Sequence, residues 1–561
     1  MPAVSDPSRR LHTLGRLLVA VAAGLAVGLS WQPYGLWPLL AVGIPAFTLV
    51  VRGQPLKRSF GLGYAFGLTM LVLAISWIHV LGFFVAVALI AFEALFFGVL
   101  AVSLTLVSRL RLWPLAAACC WVMIEFAYAR IPFGGFGWTR LGYAAVDTPL
   151  AGFFPLVGVV GVSFLVALVG QLVAWIVLTW SKSRSLSLSK SRSRSVSKGS
   201  TQAVRPLVWG LALTLVLVLA GLGLRSFQVE PAAGRLGTVN VGIVQGNVPG
   251  RGIEAMGRAR SVTDNHLSET VNLMTRSRLG LAAAPDFLLW PENSTDIDPL
   301  KDAVTDQVVQ AATQVSGLPI LVGAVTEGPG PDERQTTALW WDPQRGVLAT
   351  YHKRNLVPFG EWIPFRSQLL PIVPILRLVG AQSVPGTEPG VMTVPVGSRE
   401  ITVGDVICFE LAYDRTVYET MTGGAQVSMV QSNNATYGGT GQIEQQFAIT
   451  RARAMETRRE VAVATTNSVS GFIDRDGRVV ARTDEFTAAS MVVTMPLRTS
   501  LTPAVLIAPW LGRGLALAGL LCCVLGVIAH RSGSSRRLDP VREDGGTATS
   551  AEEIAPLGRR R

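Results

Sequence analysis

Eight apolar runs constrain this chain more than any other feature of it. They cover residues 17–31, 36–51, 60–80, 81–107, 113–128, 150–180, 207–224 and 514–529. About 20 mostly apolar residues in a helix cross the hydrocarbon of a bilayer, and in that medium only helices and closed barrels satisfy their own backbone. With 50% hydrophobic and 15% charged residues, the composition also lies outside the range of ordinary soluble enzymes. The runs therefore predict a multi-pass α-helical membrane bundle. The first run reads as a span rather than a cleaved leader. Further spans follow it, and no clear small-residue cleavage site precedes Trp31.

The placement of charge orients these spans. A net charge of +12 would suit a nucleic-acid partner, but the cations are not spread over a binding face. They cluster at Arg9, Arg10 and Arg16, at Arg52, Lys57 and Arg58, at Arg109 and Arg111, through 182–205, and at Arg531, Arg536 and Arg537. With the N-terminus in the cytoplasm, all of these clusters fall on the cytoplasmic side. The opposing turns near Gln32–Pro33 and Val80–Leu81 carry none, and the loop holding Arg130 and Arg140 is the exception. This is the positive-inside asymmetry. It predicts no nucleic-acid partner and places everything between residues 224 and 514 outside the cytoplasm.

The expected organisation is a seven-span bundle over 11–226, a water-exposed domain over 236–497, a last span over 510–530 and a disordered cytoplasmic tail over 531–561. Within the bundle, 181–205 is a Ser/Lys/Arg-rich run expected to form a flexible loop. In the exported domain, strand patterns at 239–245, 287–290, 319–325, 337–341, 404–407 and 427–430 alternate with helical patterns at 259–278 and 444–459. A hairpin is expected over 472–480, turning at Asp476-Gly477. The alternation predicts a layered α/β domain.

Three of these strands end on groups able to do chemistry. Glu292 follows one in WPEN, Lys353 lies in YHKRNLVPFGEW, and Cys408 ends another in GDVICFE. Of the five cysteines, Cys119, Cys120, Cys522 and Cys523 lie in spans as adjacent pairs, so Cys408 is alone in the exported domain. A thiol becomes a nucleophile once a base removes its proton. A carboxylate can do that, and a lysine that stays charged can hold the oxyanion of a tetrahedral intermediate. Taken singly, each residue has a plainer reading: a core thiol, a loop carboxylate, a solvated surface cation. No spacing rule links the three. His352 reads as a loop residue rather than a second base. No zinc spacing, phosphate loop or dinucleotide fingerprint is present, so neither metal nor cofactor is expected.

The stretches VNVGIVQGNVP, DFLLWPEN, YHKRNLVPFGEWIPF, VGDVICFELAY and RARAMETRREVAVATTNSVSGFIDRDG resemble the nitrilase (carbon-nitrogen hydrolase) superfamily, in the family's order Glu, Lys, Cys. The resemblance implies an αββα sandwich, with Glu292 as general base, Lys353 supporting the oxyanion and Cys408 as nucleophile. Glu361 matches the family's second glutamate, Glu410 matches a glutamate near the nucleophile, and the Phe409 N–H would complete the oxyanion hole. Seven spans before such a domain and one after resemble its membrane-embedded branch, the apolipoprotein N-acyltransferases, over nearly the whole chain. WVMIEFAYARIPFGGFGWTRLGY resembles that branch's fifth span and the following loop. The implied reaction moves an acyl chain from a phospholipid donor to the Cys408 thiol. It then passes to the N-terminal amine of a diacylglyceryl-cysteine on an apolipoprotein, at the outer face of a bacterial plasma membrane. Three departures bear on substrate contacts. Phe409 stands where many members have Tyr, the loop 432–437 reads Ser-Asn-Asn-Ala-Thr-Tyr, and no tryptophan lies in 248–256.

Two other readings use the same residues differently. A membrane-tethered amidase would use water as the acyl acceptor, whereas apolar loops opening to the membrane favour lipid. A non-catalytic anchor for a polyprenol-phosphate glycosyltransferase would need no intact Glu, Lys and Cys. Glu93 and Glu125 lie inside spans, where a charge faces protein or water. Either they line a polar cavity or they pair, Glu125 with Arg130 or Arg140. The predicted orientation has a direct test: reporter fusions after Ser226 and after Arg537 should report opposite sides of the membrane. A cytoplasmic signal at Ser226 would overturn it.

Overall fold

The computed structural model describes residues 7–190, 200–226, 236–248, 250 and 260–535. The expected tail beyond residue 535, the stretch 191–199 of the Ser/Lys/Arg-rich run, and 251–259 of the first domain loop lie outside the described residues.

Seven helices precede the domain: α1 (Pro7–Gly28), α2 (Leu40–Val51), α3 (Leu56–Ile75), α4 (Phe83–Val107), α5 (Trp113–Tyr128), α6 (Phe154–Lys190) and α7 (Ser200–Ser226). Among the described residues, six helical segments are long and apolar enough to cross a membrane, the last being Pro503–Arg531. Two of the eight expected spans are not. Trp37–Val51 and Trp113–Tyr128 fall short of the length; at 1.5 Å per residue, a 16-residue helix spans about 24 Å against a hydrocarbon of about 30 Å. Helix α5 stops early because Pro132 offers no N–H, and Gly134 and Gly135 at positive φ turn the chain back over its last turn. The Ser/Lys/Arg-rich run also departs from expectation, since α6 continues to Lys190. A helix already nucleated in the bilayer extends into polar sequence with no further nucleation cost. Gly63 and Gly67 let α3 pack backbone to backbone on α4, as small residues do between membrane helices.

The domain contains two sheets. The first is built from β1 (Thr238–Gln245), β2 (Phe287–Leu289), β3 (Ile320–Glu327), β4 (Glu333–Asp342), β5 (Gly346–His352), β6 (Gln382–Ser383) and β13 (Ala489–Pro496), in the order β13-β1-β2-β3-β4-β5, with β6 beside β4. The second contains β7 (Val391–Val396), β8 (Arg399–Ile407), β9 (Val427–Ser432), β10 (Val461–Thr465), β11 (Gly471–Ile473) and β12 (Val479–Arg482), in the order β12-β11-β10-β9-β8-β7. Their inner faces share one core, in which Val241, Phe287, Leu289 and Trp340 meet Val403, Ile407, Met429 and Ala462. Helices α8 (Ser261–Arg278) and α9 (Ala303–Ser316) cover the first sheet through Leu273, Val309 and Ala312. The short α10 (Arg366–Leu369) lies in the loop after β5. Helices α11 (Asp414–Thr422) and α12 (Gly441–Thr457) lie on the side of the second sheet that faces the bundle, and α13 (Pro503–Ser535) follows. This is the expected αββα sandwich beside a helical membrane bundle.

The domain does not hang from the bundle by its linkers alone. Gln445 on α12 accepts the indole N–H of Trp77 (2.9 Å) and of Trp138 (2.8 Å), and donates to the carbonyls of Gln32 and Ala74 (2.7 and 2.6 Å). Helix α6 breaks at Gly158, whose φ of 67° is one that glycine adopts without strain. The N–H of Val159 freed there donates to Glu456 of α12 at 2.8 Å. Asp414 joins the halves through Arg140 of the bundle (2.6 Å) and Arg453 of α12 (2.8 Å). Glu125 meets Arg140 at 3.9 Å and accepts the Leu141 N–H at 2.8 Å, which is the pairing reading with Arg140 and not Arg130.

Removing one member of a buried ion network strands the others, at about 3–5 kcal/mol. Asp414→Ala should therefore lower thermal stability in detergent by that amount, since Arg140 and Arg453 are both buried. Arg415→Ala, at a largely exposed side chain paired with Glu419, should shift it by less than about 1 kcal/mol. Equal midpoints for the two variants in a thermal melt would contradict the network's role.

Candidate active site

In both sheets the parallel strands end at the same edge, and side chains at such edges face a common crevice. Strands β1, β2 and β3 run parallel, as do β8, β9 and β10. Glu292 lies three residues past β2, Lys353 directly follows β5, and Cys408 directly follows β8. His352 is the last residue of β5 rather than a loop residue, and its Nδ1 shares a hydrogen bond with Thr337 Oγ1 at 3.0 Å.

The structure brings the sequence-derived residues together around one buried ammonium. Lys353 Nζ donates to Glu292 Oε1 at 2.8 Å and to Glu361 Oε1 at 2.9 Å. Each carboxylate is held by its other oxygen: Glu292 by the Asn433 N–H at 2.7 Å, Glu361 by the Val357 N–H at 2.7 Å. Burial alone would lower the lysine's pKa, but the two flanking carboxylates outweigh it and hold the ammonium well above its ordinary range. Burial raises Glu292 above the usual carboxylate range, against the pull of Lys353. The site thus pairs a cation that stays charged with a carboxylate ready to hold a proton.

Cys408 is at φ 53°, in the left-handed region, on the first residue of a tight 3-10 turn spanning Cys408–Ala412. A non-glycine residue held there costs about 1–3 kcal/mol, so its surroundings must impose it. Glu410 does so. Fully buried, it accepts the N–H groups of Ile407 (2.9 Å), Arg354 (2.7 Å) and Asn355 (3.1 Å), and the Tyr351 hydroxyl at 2.9 and 2.8 Å. It ties the Cys408 turn to the strand that ends at Lys353. The Cys408 thiol is pushed up by burial, then by Glu292, with Lys353 acting in the opposite sense. Its Sγ lies 3.9 Å from Asn434 Oδ1. Phe409 stacks on Trp138 and Phe136 of the loop after α5, with ring centroids 5.9 and 6.0 Å apart.

Sequence reasoning missed four residues of this site. Asn434 stands in the sequence only as a departure from the family loop. Tyr351 stands two residues before Lys353 in a quoted motif. Gln442 Nε2 donates to Gln446 Oε1 at 2.9 Å and Gln446 bonds Ser432 Oγ, which fixes the 432–437 loop from α12. The sequence shows only three amides in GQIEQQ, and their burial on α12 appears with the fold.

Known proteins resemble the chain in the same two parts. The family model described as apolipoprotein N-acyltransferase N-terminal domain matches residues 23–172, and the one described as carbon-nitrogen hydrolase matches 271–500. The chain is 34% identical over 534 residues to an apolipoprotein N-acyltransferase of Mycolicibacterium smegmatis, covering 93% of this chain and 87% of that one. It is 24% identical over 513 residues to one of Vibrio cholerae, covering 88% and 93%. A solved amidase from Nesterenkonia sp. is 16% identical, covering 51% of this chain and 99% of its own, with a TM-score of 0.34.

The thiol's surroundings set a pH test. Because the Cys408 pKa is raised, thiolate is scarce at neutral pH, and alkylation by iodoacetamide should accelerate as pH rises towards that pKa. Lys353→Met removes the cation that lowers it, so the rate profile should move to still higher pH. A profile that stays in place, followed by peptide mass spectrometry at Cys408, would separate Lys353 from the thiol.

Proposed function

Because the chain belongs to the apolipoprotein N-acyltransferase family, we propose that it transfers an acyl chain from a membrane phospholipid, through a thioester on Cys408, to the N-terminal amine of a diacylated apolipoprotein. The observation that carries the residue assignment is Lys353 bonded to both Glu292 and Glu361 beside the strained Cys408 turn. Glu292 takes the thiol proton as sulfur attacks the ester carbonyl. The carbonyl oxygen becomes an oxyanion, which the Lys353 ammonium and the Phe409 N–H stabilise. The C–O bond to glycerol then breaks, and Glu292 returns the proton to the departing oxygen, which releases a lysophospholipid. In the second half, the cysteine amine of the lipoprotein attacks the thioester, Glu292 takes its proton, and the C–S bond breaks to give the amide as that proton passes to the departing Cys408 sulfur. Glu361 keeps Lys353 in place, and Glu410 keeps the turn.

Lipid rather than water as the acceptor's medium is supported by the rim. Phe133, in the bundle loop after α5, meets Phe359, Trp362 and Phe365 at 6.3, 6.1 and 5.9 Å. Phe365 and Ile372 beside it are 67% and 75% exposed, a poor surface for water and a good one for acyl chains. On this reading the enzyme is a bacterial plasma-membrane protein whose domain lies at the outer face, where diacylated lipoproteins are presented.

Purified protein incubated with phospholipid should gain one acyl mass on the peptide holding Cys408, and adding a diacylated lipopeptide should move that mass to its N-terminus. Cys408→Ala should abolish both. Loss of one oxyanion donor costs about 2.7–4 kcal/mol, so Lys353→Met should slow transfer about 10²–10³-fold. Glu292→Gln should block adduct formation. Acyl transfer by Cys408→Ala would end this reading.

A further inference from the structure

A cavity of about 300 Å³ opens between α5, α6, α11 and α13, on the side of the bundle that faces the domain, and it includes none of the residues assigned to the chemistry. It is lined by more cations than its acids engage. Asp414 is taken by Arg140 and Arg453, Glu419 by Arg354 and Arg415, and Glu125 faces Arg140. Arg130 and Arg513 remain. Arg130 lies over the Phe126 ring at 3.6 Å and donates to the Phe126 carbonyl at 3.1 Å, and Arg513 lies over Trp510 at 4.9 Å. Among the described residues neither forms an ion pair. Stacking on an aromatic ring orients a guanidinium while leaving donors free for an anion.

Their level in the bilayer indicates which anion. Arg513 immediately precedes the apolar run 514–529, and Arg130 lies two residues past the end of α5 at Tyr128. The span Pro503–Arg531 has 29 residues where about 20 suffice to cross the hydrocarbon, so its domain-side end, which holds Arg513, fits at headgroup depth beside Arg130, where arginine and tryptophan are the usual anchors. Trp510 and Ile507 beside them are 69% and 51% exposed, while Val122, Val160 and Gly512 make the cavity wall apolar. A cationic mouth over an apolar wall fits an amphiphile, with a phosphate for the two guanidiniums and acyl chains for the helix faces. We propose that this cavity holds the phosphate of a membrane phospholipid in a position separate from the acyl donor's, pinning α11 between α5 and α13. The proposal rests on the bundle spanning a membrane and is independent of the roles assigned to Glu292, Lys353 and Cys408.

Native mass spectrometry of the full-length protein released from nanodiscs of mixed phospholipids provides the test, reading non-covalent lipid rather than the acyl adduct. The wild type and Cys408→Ala should both retain one phospholipid. The double variant Arg130→Gln/Arg513→Gln should lose that peak, and the double Lys variant should recover part of it, because neither substitution breaks an ion pair. Arg109→Gln/Arg111→Gln, in the loop between α4 and α5, should keep it. Wild-type lipid retention in the Gln pair would overturn the proposal. So would displacement of the lipid by inorganic phosphate alone, which would mark a site for a free anion.

Discussion

Helix α12 is the element on which the two halves of this protein depend. One side of it closes the second sheet and fixes the 432–437 loop through Gln442 and Gln446. The other carries polar groups into the bundle: Gln445 to two indoles and two carbonyls, Glu456 to the open turn of α6, and Arg453 to the Tyr143 hydroxyl. Polar contacts of this kind specify position where apolar packing alone would allow sliding. Each is also demanding, because a buried group that misses its partner costs about 1–3 kcal/mol. The helix therefore sets where the crevice stands relative to the bilayer.

The crevice is itself a balance of charge. One ammonium between two carboxylates leaves a net negative site, tolerable in a dry interior because backbone N–H groups take the remaining oxygens. Burial first, and the Glu292 charge second, hold the Cys408 thiol above its ordinary pKa. The Cys408 turn is braced from below by Glu410 and from the bundle side by the Phe409–Trp138 stack, so the membrane part contributes directly to the geometry at sulfur.

Much of this was legible in the sequence, for identifiable reasons. Strand ends such as WPEN and GDVICFE mark their own position, because an apolar run that stops on a polar residue has few other places to be. The sandwich and the order Glu292, Lys353, Cys408 followed from motif resemblance rather than from spacing, since residues 55 to 61 apart in sequence meet only through the fold. The short helices Trp37–Val51 and Trp113–Tyr128 coincide with the apolar runs 36–51 and 113–128, because an apolar run stops where a turn such as that at Gly134-Gly135 takes over. The amides of α12 were silent for the opposite reason. A glutamine in a helix looks like surface until its partners, 307 and 368 residues away in Trp138 and Trp77, are in place.

The break in α6 has a bearing on how the chain is made. Val159 N–H in the broken helix finds its acceptor in Glu456, 297 residues later. When the sixth hydrophobic segment leaves the insertion machinery, that acceptor does not yet exist, and water must serve at the membrane boundary. The bundle therefore reaches its final hydrogen bonding only after the following domain has folded and brought α12 back against it. Synthesis of the domain and the closing of the bundle are in this way one ordered sequence, and the last event in that sequence also fixes the 432–437 loop beside Cys408.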